Sequence, residues 1–92
     1  MAVVNWSRHS KQRFAERAVR YGVNYGDLEM KVVKQEVRVK EPGKDKFKAV
    51  FGLGENVFSV VKLDRKKFIH VLTLWEANEE EVRLWKKKTG KK

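Results

Sequence analysis

His9, Arg13 and Arg17 stand at i, i+4 and i+8 within the stretch Ser7–Gly22. On an α-helix that spacing stacks side chains on one face. Arg20, three residues further on, joins the same stripe. An imidazole titrates near neutrality and can give or take a proton. A guanidinium stays charged and grips phosphate oxygens in a planar fork. Guanidiniums in a row repel one another unless an anion lies along them. The stripe therefore predicts a phosphate backbone as ligand. His9 is placed to move a proton, and Arg13 and Arg17 to clamp phosphate.

Cleaving RNA without a metal takes a base for the 2′-OH proton, cations for the charged phosphorane and an acid for the leaving 5′-oxygen. His9 can serve as the base or the acid. The sequence offers no unambiguous second acid/base partner for it. His70 sits among apolar neighbours in a strand-like run and reads as a satisfied core histidine. Arg13 has Glu16 and Glu29 as potential ion-pair partners, the bland alternative to a phosphate clamp.

These side chains are carried by a chain of 92 residues, the size of one small domain. Cysteine is absent, which excludes a disulfide framework and a thiolate metal site. Two histidines are too few for the usual zinc site, a His/carboxylate magnesium or manganese site stays open, and the stripe's chemistry calls for neither metal nor cofactor. No apolar run is long enough to span a membrane. The start, Met1–Trp6, is too short and uncharged for a secretory signal, so the expectation is a cytoplasmic protein. The formal net charge is +10, from 22 basic and 12 acidic residues. Such imbalance points to a polyanionic partner: RNA, DNA or, less often, an anionic membrane surface, with nucleic acid expected here and no membrane. A hyperthermophile's stabilised surface is also Lys-rich, but it balances Lys with Glu, and this chain does not. Lys86, Lys87 and Lys88, with Lys91 and Lys92 beyond, suit either a helix C-terminus or an arm that grips phosphates.

The elements that position the stripe follow from period and punctuation. Residues 1–6 form an apolar lead that docks on the core or adds a small edge strand. Ser7 caps a first helix and Gly22 closes it. Phe14, Ala15, Ala18 and Tyr21 supply the side to bury. Asn24 caps a second helix running to about Lys34, with Leu28 and Val32 on its apolar side. From Gln35 the period becomes alternating. Strands are predicted over 36–40, 46–51, 57–63 and 68–75, the last most apolar on both faces and hence central. Three hairpin connections in a row imply an antiparallel meander. Asn78 and Glu81 form a capping box for a third helix. The expected fold is α+β: two N-terminal helices, a four-stranded antiparallel meander sheet and a C-terminal helix. It spans 1–92 as one domain with a short basic tail, 89–92.

With this element order the chain resembles the RelE-like toxins, within the wider group that unites barnase, EndoU and the colicin nucleases. More closely, it is similar to a family of small domains in that group. Their sequences open with His-x-x-x-Arg-x-x-x-Arg, step through Gly and a hydrophobic residue into a second helix, and end on strands whose last carries a Thr. The matching residues are His9, Arg13 and Arg17, then Gly22-Val23, then Val71-Leu72-Thr73-Leu74. The likeness runs from about Ser7 to Trp75. It departs after Arg17, where Ala18-Val19-Arg20-Tyr21 intervene before the Gly. The resemblance implies a metal-independent ribonuclease with His9, Arg13, Arg17 and Thr73 at its catalytic site, and an antitoxin protein as a possible partner. Thr73 would orient a phosphate or a helix side chain. His70, an odd number of residues from Thr73, would face the other side of the sheet.

Two further function classes compete with a ribonuclease. One is a non-catalytic RNA- or DNA-binding module of a virus, plasmid or hyperthermophile. The other is an inert domain whose charge serves stability. RNA is favoured over DNA, with Arg20, Lys86, Lys87 and Lys88 as further contacts. The chain is expected as a monomer or, through an edge strand such as Val37–Lys40, a homodimer. Pairing of the Arg stripe with carboxylates would favour the inert domain.

Overall fold

Alternating apolar residues need a second layer to cover them, and here the sheet is covered from both sides. The computed structural model describes residues 3–65 and 67–90, without the side chains of Arg17, Ala18, Val19 and Tyr25. In chain order the elements are β1 (Val3–Trp6), α1 (Arg8–Tyr21), α2 (Tyr25–Val33), β2 (Val37–Lys40), β3 (Lys46–Leu53), β4 (Asn56–Asp64), β5 (Phe68–Glu76) and α3 (Glu79–Thr89). The strands form one sheet in the order β1-β5-β4-β3-β2. Strands β2 to β5 pair antiparallel, and β1 pairs parallel to β5.

This corrects the expected four-stranded antiparallel meander: the α+β fold has a five-stranded mixed sheet. The apolar lead is a strand, with Val4 opposite Ile69 and Trp6 opposite Val71. Parallel pairing between segments so far apart needs no hairpin, so no turn residues announce it. The strand β5 is interior, between β1 and β4, but the middle strand is β4.

One face of the sheet packs on α1 and α2. Phe14, Leu28 and Val32 meet Ala49, Phe51, Phe58, Val60, Ile69, Val71 and Leu74, all buried. The other face takes α3 over β2 and β3. Trp85 lies so close to Gly52 that a Cβ there would stand 2.4 Å from its ring. Gly52 is thus the residue that lets α3 seat. Glu36 accepts from the Gly52 N–H at 3.0 Å and from the Trp85 indole at 2.9 Å, which locks the contact.

The register of β5 slips by one at Val61/Lys62: Thr73 opposes Val61, yet Val71 opposes Lys62. Leu72 is the extra residue of a β-bulge. The bulge reverses the parity beyond it. Buried positions run 69, 71 and then 74. His70 opposes Leu63 and so shares a face with Thr73, the face of α3, contrary to the odd-spacing expectation.

Helix ends follow their capping residues. The Ser7 Oγ accepts from the Ser10 N–H at 3.1 Å, Asn24 Oδ1 from Asp27 N–H at 2.8 Å, and Asn78 Oδ1 from Glu81 N–H at 2.8 Å. Glu81 returns the bond to the Asn78 N–H at 3.0 Å, completing the capping box. Gly22 takes the left-handed conformation, φ 65°, just past α1. Thr89 belongs to α3, and Lys91 and Lys92 of the expected tail lie outside the described residues. No helix among the described residues is long and apolar enough to cross a membrane.

Candidate nucleic-acid interface

What α1 presents outward is decided by what it buries. Ser10 and Phe14, one turn apart, are its buried side. The Ser10 Oγ lies 3.1 Å from Val71 O, and the Ser7 N–H donates to the same carbonyl at 2.9 Å. The start of α1 is therefore moored to β5. Phe14 packs on Trp6 with ring centroids 6.0 Å apart. At the far end the Tyr21 ring meets Phe58 edge-on at 5.6 Å, and its hydroxyl donates to Glu76. These anchors fix the helix's rotation.

Arg8, His9, Lys11, Gln12, Arg13, Glu16 and Arg20 are exposed as a result. Ala15 is exposed too, and does not join the buried side as expected. His9, Gln12, Arg13 and Glu16 line one solvent-open hollow of about 360 Å³. The side chain of Arg17 lies outside the described residues, though its backbone belongs to α1.

Five cations outside α1 are paired, while Lys34, Lys44, Lys46, Lys67, Arg83 and Lys86, Lys87 and Lys88 have no ion pair among the described residues. Lys31–Glu36, Arg38–Asp64, Lys48–Glu81, Lys62–Asp64 and Arg65–Asp45 form ion pairs at 3.3, 2.8, 3.3, 3.2 and 3.0 Å. Among the described residues no ion pair involves Arg8, Lys11, Arg13 or Arg20. The two carboxylates foreseen for Arg13 do not take it: Glu29 accepts from the Trp6 indole at 2.9 Å, and Glu16 makes no ion pair among the described residues. His9 is exposed and makes no side-chain hydrogen bond among the described residues.

Three of the paired charges, Glu81, Glu36 and Lys62, tie elements of the fold together. Burial alone would raise the pKa of Glu81, but the Asn78 N–H, the Trp75 indole and Lys48 outweigh it and lower the value. Glu36 is likewise lowered: burial opposes, and bonds from Trp85, the Gly52 N–H and Lys31 prevail. Lys62 shows the reverse balance. Its pKa is lowered by burial, which outweighs the nearby Asp64. Its ammonium donates to Val32 O at 2.9 Å and to Gln35, tying the end of α2 to the sheet.

The other predicted positions are distributed over the fold. Thr73 lies on the sheet face of α3, with the sheet between it and α1, so Thr73 and His9 are not brought together. Lys86, Lys87 and Lys88 are exposed in the last turn of α3, also on that opposite side. His70 is half-buried there and is not a member of the core. Glu16 was legible only as an ion-pair partner. Its position, seven residues from His9 and three from Arg13, is the signal that it shares their hollow. Among the described residues no group of three His, Asp or Glu is gathered to hold a metal ion. Compared with family models, curated proteins and solved structures, the chain matches none.

Proposed function

We propose that this protein binds nucleic acid along the outer face of α1, with RNA ahead of DNA. The observation that carries this is the gathering of four exposed cations on one helix, Arg8, Lys11, Arg13 and Arg20, none of which has a carboxylate partner among the described residues. Arg13 and Arg20 lie on one side of the helix with His9, and Arg8 and Lys11 on its other flank; exposed cations so placed attract a polyphosphate and release its counterions. The ordering of RNA over DNA rests on the resemblance to ribonucleases. A polyanionic partner and a cysteine-free chain fit a cytoplasmic setting.

A second reading, metal-independent RNA cleavage at the same face, is favoured by one further observation. His9 and Glu16 flank Arg13 in a single hollow. Two helical turns separate them, about 10 Å of rise, which two flexible side chains can span around one phosphate. Glu16 as base would take the 2′-OH proton, and the 2′-oxygen would attack phosphorus. His9 as the protonated acid would give its proton to the departing 5′-oxygen. The products would be a 2′,3′-cyclic phosphate and a 5′-hydroxyl, with Arg13 stabilising the phosphorane.

One assay separates the two readings. Labelled single-stranded RNA is incubated in EDTA with wild type, His9→Ala, Glu16→Gln and Arg13→Ala, and binding is followed in parallel. Cleavage by wild type that is lost in His9→Ala and Glu16→Gln, with binding kept, supports the enzyme. Binding without cleavage, weakened in Arg13→Ala, supports the binding module. Absence of both removes nucleic acid as the ligand.

A further inference from the structure

We infer that the β2–β3 hairpin carries a second nucleic-acid contact of a different kind, a stacking site for an unpaired nucleobase on Arg38. It rests on the reading that the protein binds nucleic acid, and it narrows the ligand to single strands. In the register, Arg38 opposes Ala49 and Lys40 opposes Phe47, which puts all four on the sheet face that also carries α1 and α2. The guanidinium carbon of Arg38 stands 3.7 Å from the centroid of the Phe47 ring. At that distance the planar group lies on the ring in van der Waals contact. Its Nη2 is held by Asp64 Oδ2 at 2.8 Å. One face of the guanidinium is thus on Phe47 and one edge on Asp64, yet the side chain is still 47% exposed.

What remains uncovered is a flat, cationic and weakly hydrated surface whose orientation is already fixed. Its charge is shared with Asp64, so a lone phosphate gains less there than on α1. A nucleobase gains more, because guanidinium planes stack on unpaired bases. The Lys40 ammonium lies 4.9 Å from the same ring and donates to Gly43 O at 2.8 Å. It supplies positive charge beside the platform for the phosphate attached to the stacked base. Bases inside a duplex have no free face to offer, so the site selects single strands.

Fluorescence anisotropy tests this with three labelled oligomers of equal length: a single-stranded RNA, an abasic ribose-phosphate chain and a perfect duplex. Wild type is expected to bind the single strand about tenfold more tightly than the abasic chain. Arg38→Ala and Arg38→Lys are each expected to erase that difference, the second because it keeps the charge and loses the plane. Thermal melting checks that both variants fold, and the wild-type comparison of base against no base needs no variant. Equal wild-type affinity for the single strand and the abasic chain would overturn the stacking site. So would an Arg38→Lys variant that keeps the full preference. If Arg13→Ala weakens all three ligands while Arg38→Lys weakens none, α1 stands as the interface and the stacking site falls alone. If wild type binds none of the three, both fall together.

Discussion

Lys62 and Arg13 are both cations of one small fold, and their surroundings differ in kind. Lys62 is 1% exposed. It meets Asp64 at 3.2 Å and Val32 O at 2.9 Å, with Arg38 sharing the same carboxylate. Arg13 stands in open solvent between His9 and Glu16 with no ion pair among the described residues. Removing one partner of a buried pair strands the other charge in a poorly solvated place. Removing an exposed, unpaired cation strands nothing. A net charge of +10 therefore has two components, one that holds the fold and one that the fold leaves available.

Substitutions can break this contrast. The largest effect is expected at Lys62. Lys62→Ala deprives Val32 O and Gln35 of their donor and opens a cavity under α2, at a cost of about 3 kcal/mol in urea unfolding. In the same experiment Arg13→Ala should stay within about 0.5 kcal/mol of wild type. Equal losses at the two positions would erase the distinction. Next comes Glu81, the buried carboxylate that joins α3 to β5. Glu81→Ala leaves the Trp75 indole and the Asn78 N–H unpaired and should cost about 2 kcal/mol. Gly52→Ala, which drives a Cβ into the Trp85 ring, is expected to cost about 1–2 kcal/mol by the same measure.

The pH dependence sharpens the contrast further. Glu36 and Glu81 both have folded pKa values lowered from 4.5. Their contribution to stability is complete above the unfolded value and is lost as pH falls through the folded one. Unfolding curves taken from pH 6 downward should therefore show an acid limb that flattens in a Glu36→Gln/Glu81→Gln variant.

Much of the local structure was legible because capping residues act over a few positions. Ser7, Asn24 and the Asn78–Glu81 box start helices through bonds to backbone N–H groups within the first turn. The strands from Val37 onward follow from alternation and from the turns between them. Two features escaped because they are non-local. The strand β1 pairs parallel to β5 across most of the chain, and the three apolar residues of its four do not reveal their partner. The bulge at Leu72 leaves no residue signature, yet it decides that His70 and Thr73 share a face. The α1 stripe was visible from its spacing, but whether its charges would be paired was not. That depends on where Glu29 and Glu16 go, and Glu29 is drawn to the Trp6 indole. The Arg38–Phe47 stack was hidden for the same reason, since cross-strand neighbours follow only once the register is known.

The most direct test of the α1 interface is the salt dependence of RNA affinity in two variants of equal charge. One is Arg13→Gln/Arg20→Gln, which removes two cations that have no ion pair among the described residues, and the other is Lys31→Gln/Arg65→Gln, which removes two that are paired with Glu36 and Asp45. For a single strand each lost phosphate contact lowers the slope of log affinity against log salt by about 0.7. The α1 variant should lose about 1.4 from the slope, and the paired-cation variant almost nothing. Equal slopes for the two variants would contradict the interface and leave net charge as the whole of the attraction.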